Sequence, residues 1–133
     1  MDNIKYEMTE KTPLIEGSIT SGEMKIAGRS YPEDAPEFFQ PFRDWLSSFY
    51  QKTKGDIKLV LDLDYINTAT NVLLFDIVYN LSKMAENRGV SVVWKYEEDD
   101  YEMINKGQDF KELLGDLIIM EERNNKDFSS HNK

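Results

Sequence analysis

Apolar positions along the chain follow two periods, and the switches between them mark its elements. From Ile57 to Asp64 the alternation is strict. One face carries Ile57, Leu59, Leu61 and Leu63, and the other carries Lys58, Val60, Asp62 and Asp64. Period two predicts a strand, here over Asp56 to Tyr65. Its second face is too polar for a strand covered on both sides. The sheet is therefore expected to have one wetter face, with helices mainly on the other. Similar alternation predicts strands over Pro13 to Ile19 and Glu23 to Gly28, joined by a turn at Thr20-Ser21-Gly22 into an antiparallel hairpin. Val90 to Tyr96 and Leu117 to Met120 complete the strands.

Helical spacing occurs three times. Asp34, with Glu37 three residues later, has the form of a capping box. Phe38, Phe42, Trp45, Leu46 and Phe49 follow as one stripe, which reads as core rather than as a binding groove. Pro41 interrupts it. A proline inside a helix costs roughly 3 kcal/mol, so a kink or a break is expected there. A second helix is predicted from Val72 to Arg88, with Leu74, Ile77, Val78, Leu81, Met84 and Ala85 inward and Gly89 as the C′ residue. The third runs from about Tyr101 to Leu114, behind the acidic run Glu97 to Asp100. Acidic residues at a helix start complement its dipole, which explains the run without a metal.

The order is β-β-α-β-α-β-α-β. It specifies an α/β fold with a mixed sheet, its helix-linked strands parallel and its crossovers right-handed. Residues 1–11 are expected to be a flexible lead, residues 12–121 a single domain, and residues 122–133 a disordered polar tail.

Composition narrows the function. A chain of 133 residues suits one domain. Its net charge of -9, from 16 basic and 25 acidic side chains, repels nucleic acid and anionic membranes and suits protein partners. There is no Cys, and the single His is His131 in the tail. Thiolate nucleophiles, Cys-ligated zinc and His-based acid–base chemistry in the ordered part are thereby excluded. The N-terminal residues have no apolar signal core, and no apolar run spans a bilayer. A cytoplasmic protein without a cofactor is expected. There is no Gly-rich phosphate loop. Asp62 and Asp64 share a strand face and could hold Mg²⁺, as in a receiver-like phosphoacceptor domain. The other receiver residues are missing, since no acidic pair follows an earlier strand and no Lys follows the last one. Solvated charges on the open face are the better account, and no tight divalent-cation site is expected. A plain acidic protein-interaction subunit is a further alternative.

The remaining candidate lies between the Asp56–Tyr65 strand and the next helix. Tyr65, Asn67, Thr68, Ala69, Thr70 and Asn71 form a polar knot at a helix N-terminus. Free N–H groups and the macrodipole favour negative charge there. A phosphate on Thr68 would sit in that field. The plainer account is that Asn and Thr are good N-caps.

With Ser30-Tyr31-Pro32-Glu33, Trp45-Leu46 and Tyr65-Ile66-Asn67-Thr68, the chain resembles the SiaC family of small bacterial regulatory phosphoproteins, whose fold is similar to STAS domains. The resemblance extends from about Thr12 to Met120. It implies a non-enzymatic partner switch. Thr68 would be phosphorylated by a dedicated Ser/Thr kinase and dephosphorylated by a PP2C-type phosphatase. The unmodified protein would bind and activate a diguanylate cyclase and so control cyclic-di-GMP output and biofilm behaviour. The family often continues Asn-Thr-Ser-Ser and then a Lys. Here the run is Asn67-Thr68-Ala69-Thr70-Asn71 without that Lys, and the acceptor Thr is intact.

The tail offers almost no apolar surface. Deleting Asn124 to Lys133 is expected to leave the melting temperature within error, measured by thermal denaturation.

Overall fold

The structure is a computed structural model and describes residues 3–123. The order is β1 (Ile4–Tyr6), β2 (Leu14–Ser18), β3 (Glu23–Ser30), α1 (Ala35–Lys52), β4 (Ile57–Ile66), α2 (Thr68–Met84), β5 (Val90–Tyr96), α3 (Tyr101–Leu114) and β6 (Ile118–Glu122). The strands lie side by side in chain order, β1-β2-β3-β4-β5-β6. The β1–β2 and β2–β3 pairs are antiparallel, and the three pairs from β3 to β6 are parallel. Each helix-linked crossover advances one strand in the same direction. A single hand of crossover then puts all three helices on the same face, as the wet second face of β4 required.

The core lies between that face and the helices. Ile57, Leu59, Leu61 and Leu63 of β4, Val92 and Trp94 of β5, and Met24 and Ile26 of β3 are buried there. Phe39, Phe42, Trp45, Leu46 and Phe49 of α1 meet Leu74, Ile77, Val78 and Leu81 of α2 in one cluster with them.

Several expectations are corrected. Residues 3–11 do not simply lie loose, because Ile4–Tyr6 pairs with Gly17, Glu16 and Ile15 as an edge strand. Ile4 and Tyr6 are half-buried and pack on the core, which holds this short polar segment to the sheet. Helix α1 runs unbroken through Pro41. The proline ring is exposed, and five buried aromatic and aliphatic side chains around it hold the helix, each worth about 1.5–3 kcal/mol. Asp34 does cap α1, accepting a bond from the Glu37 N–H at 3.1 Å. Helix α2 starts four residues earlier than expected and ends at Met84, so Gly89 is not its C′ residue. Gly89 lies beyond the following turn, and its carbonyl accepts from the Ile57 N–H. Strand β6 continues to Glu122, and Arg123 is bonded through its N–H to the Tyr96 carbonyl, so the ordered domain reaches into the expected tail. The rest of that tail, residues 124–133, lies outside the described residues.

Trp94 shows how closely α3 sits on the sheet. Its indole N–H donates to the Met103 carbonyl at 3.0 Å. A Cβ added at Gly107 would stand 2.5 Å from the same ring and 2.8 Å from the Met120 methyl. Alanine normally favours a helix interior by about 0.5–1 kcal/mol over glycine. Here the clash reverses the sign, and Gly107→Ala should destabilise the domain by about 1–3 kcal/mol, read as a lower urea midpoint.

Candidate functional site

The polar knot is assembled where β3 and β4 end. These strands pair in register from Glu23↔Lys58 to Gly28↔Leu63, and then the register slips, so that Arg29 pairs with Tyr65 and Ser30 with Ile66. Asp64 is the extra residue, and Gly28 meets the irregularity with a φ of 106°. Such a bulge bends a strand and re-aims its side chains. Leu63 and Ile66 are both buried although three apart, while Asp64 and Tyr65 both turn outward.

Ile66 leads directly into the first turn of α2. The Asn67 N–H donates to the Ser30 carbonyl at 2.9 Å. Its side-chain oxygen accepts from the Thr70 N–H at 2.8 Å, which makes Asn67 the N-cap. The Thr70 hydroxyl lies 2.9 Å from that of Ser30, in full burial. This pair ties the first turn of α2 to the end of β3.

The two threonines of the knot therefore differ in kind. Thr70 is 0 % exposed and hydrogen-bonded. Thr68, at the first helical position, is exposed, and its hydroxyl makes no hydrogen bond among the described residues. Capping by Thr68 is thus ruled out in favour of Asn67. Ala69 is exposed beside it, and Asn71 is half-buried with its carboxamide oxygen sealed from solvent and unpartnered. Tyr65 is 45 % exposed and meets the Tyr31 ring edge-on at 5.8 Å between centroids. The first turns of α1 and α3 carry Glu37 and Glu102, but that of α2 carries no acid. Its positive pole is left unopposed by its own side chains.

Asp62 and Asp64 are engaged by a residue that sequence reasoning missed. The Arg123 guanidinium reaches across the open face, 2.7 Å from Asp62, 2.6 Å from Asp64 and 3.3 Å from Glu97. Burial works against the Arg123 charge, but the bonds and charges of Asp64 and Asp62 outweigh it and push its pKa up. A cation already occupies the place where Mg²⁺ would have to bind. Among the described residues, no group of three or more His, Cys, Asp or Glu side chains could hold a metal ion. No described helix is long and apolar enough to cross a membrane. In the sequence, the only trace of the bulge was the step from Leu63 to Ile66. Arg123 was hidden because it follows two glutamates in what read as tail.

Residues 6–122 match the family described as SiaC family regulatory phosphoprotein. An uncharacterized protein of Pseudomonas aeruginosa strain UCBPP-PA14 is 29 % identical over 113 residues, which cover 84 % of this chain and 90 % of that one. A solved structure of SiaC of Pseudomonas aeruginosa superposes with a TM-score of 0.83 at 27 % identity, covering 92 % of this chain and 100 % of that one. A crystal structure of the diguanylate cyclase SiaD in complex with its activator SiaC, from the same species, matches with a TM-score of 0.83 at 26 % identity over 90 % of this chain and 99 % of that one.

Capping by Asn67 fixes an order of stabilities. Asn67→Ala should cost about 1 kcal/mol. Thr68→Ala should stay within about 0.5 kcal/mol of the parent, as befits an exposed, unbonded side chain. Urea unfolding of the two variants at equal m checks the order.

Proposed function

This chain belongs to the SiaC family of regulatory phosphoproteins, and from that premise we propose that it is a non-enzymatic switch thrown by phosphorylation of Thr68. The unmodified protein binds and activates a diguanylate cyclase. A dedicated Ser/Thr kinase writes the phosphate, and a PP2C-type phosphatase removes it. The observation that carries the reading is the contrast between Thr68, exposed and unbonded, and Thr70, buried and bonded to Ser30. A kinase can reach the first without opening the fold. The partner assignment is supported by the complex in which the related SiaC is the activator of the cyclase SiaD.

The physics of the switch follows from its position. A phosphate adds about -1.5 to -2 charges. Within this chain they meet an α2 pole that carries no acid of its own in its first turn, so the fold is undisturbed. Across an interface they meet a surface matched to a neutral Thr, where a dianion must be desolvated. Partner affinity falls while the domain stays folded. The surrounding Tyr65, Asn67, Ala69, Thr70 and Asn71 divide the work. Tyr65 and Ala69 are exposed for contact, and Asn67 and Thr70 hold the helix start in place.

Calorimetric titration of a diguanylate cyclase from the same cell, with the chain phosphorylated and unphosphorylated, tests this. Phosphorylation should weaken binding by at least about tenfold, and Thr68→Ala should bind while refusing phosphate. Thr68→Glu should fall between, because it carries less charge and fewer acceptor oxygens than phosphate. Equal affinity of the two forms, or phosphate mapped to another residue, overturns the proposal.

A further inference from the structure

We propose that Arg29 receives a carboxylate of the docking partner, in a seat walled by Tyr31 and Tyr65. The inference rests on the partner-switch reading above and adds the chemistry of the contact. It starts from the bulge. Had β3 and β4 kept their register past Gly28↔Leu63, Arg29 would stand beside Asp64 as a cross-strand ion pair. The slip sets Arg29 beside Tyr65 instead, and Asp64 is taken by Arg123.

Arg29 is left without a hydrogen bond or an ion pair among the described residues, and its guanidinium lies over the Tyr31 ring, 5.6 Å from its carbon to the ring centroid. The other arginines are all engaged. Arg43 pairs with Asp76, Arg88 donates to the Thr53 and Gly55 carbonyls, and Arg123 holds three carboxylates. In a chain of net charge -9 with 25 acidic residues, one guanidinium is thus kept from every carboxylate among the described residues. It is exposed at the same end of the sheet as Thr68.

A guanidinium lying on an aromatic ring keeps its planar fork free and is weakly hydrated, which suits two-point capture of a carboxylate. Tyr31 under the guanidinium and Tyr65 edge-on to the Tyr31 ring supply amphipathic walls. Arg and Tyr are the residue types that most often anchor protein interfaces. The arrangement selects an acidic side chain on a partner that an acidic domain would otherwise repel.

The test titrates the full, unphosphorylated chain as parent, Arg29→Lys and Arg29→Gln against the same diguanylate cyclase. Arg29→Gln should lose roughly tenfold in affinity, with Arg29→Lys between. The gap should narrow at high salt, and melting temperatures should stay close because Arg29 makes no ion pair among the described residues and is exposed where it lies over the Tyr31 ring. Affinity of Arg29→Gln within twofold of the parent overturns this inference alone. A parent chain that binds no cyclase overturns both it and the partner-switch reading.

Discussion

Strand β4 has to bury Leu63 and Ile66 on one face although they are three residues apart, and no strict period of two allows that. One extra residue, Asp64, resolves the conflict. Its insertion brings Ile66 under the helices, turns Tyr65 to the open face and delivers Asn67 to the Ser30 carbonyl. Asn67 can then cap α2, and Thr68 becomes the first helical residue, its hydroxyl without a hydrogen bond among the described residues. Without the slip, every side chain beyond Leu63 would change face. The geometry of the knot is therefore a consequence of strand packing as much as of its own polar residues.

The open face manages its charge by rows that cross the parallel strands. Lys95 stands opposite Glu121 in register and lies 3.4 Å from it. In the next row Arg123 reaches over Glu97 to Asp64 and Asp62. A face uncovered by helices can carry such rows because their charges remain partly solvated. Pairs of this kind add little stability when fully exposed. The Arg123 side chain is only 16 % exposed, so its removal would leave carboxylates close together and unneutralised. Its place beside the bulge means that the same cation also occupies Asp64 on the outward side.

Much of this was legible in the chain. The alternation in β4 and most of the helical stripes of α1 and α2 marked the core, because burial on one face leaves a periodic record, although Phe39 rather than Phe38 is the fully buried ring and Ala85 is exposed. The bounds of α3 were read behind its acidic run, while the Asp100 cap within that run became visible only in the structure. What escaped was non-local. The pairing of β1 depends on Gly17 and Ile15 being its neighbours, and three residues carry no period of their own. Pro41 was misjudged because local propensity is weighed against packing that only the fold supplies. The Thr70–Ser30 bond joins residues forty apart, and the Arg123 clamp joins residues about sixty apart. In the motif Thr68 and Thr70 looked alike, and their difference is made by which one faces Ser30.

That difference explains how the proposed switch at Thr68 could sit on a helix start without endangering the helix. Helix initiation needs side chains that satisfy free N–H groups and anchor the first turn. In this chain Asn67 and Thr70 do both. Thr68 is relieved of any structural duty, so its chemistry can change while the cap and the anchor persist. A phosphate there gains from the helix pole and costs the domain nothing in packing. The free-energy change is therefore felt at whatever surface meets Thr68 from outside. Were Thr70 rather than the proposed Thr68 the acceptor, modification would require breaking the Ser30 contact and exposing the first turn, and any signal would be coupled to partial unfolding. Separating the structural hydroxyl from the exposed one by a single residue would let the fold and the proposed signal vary independently.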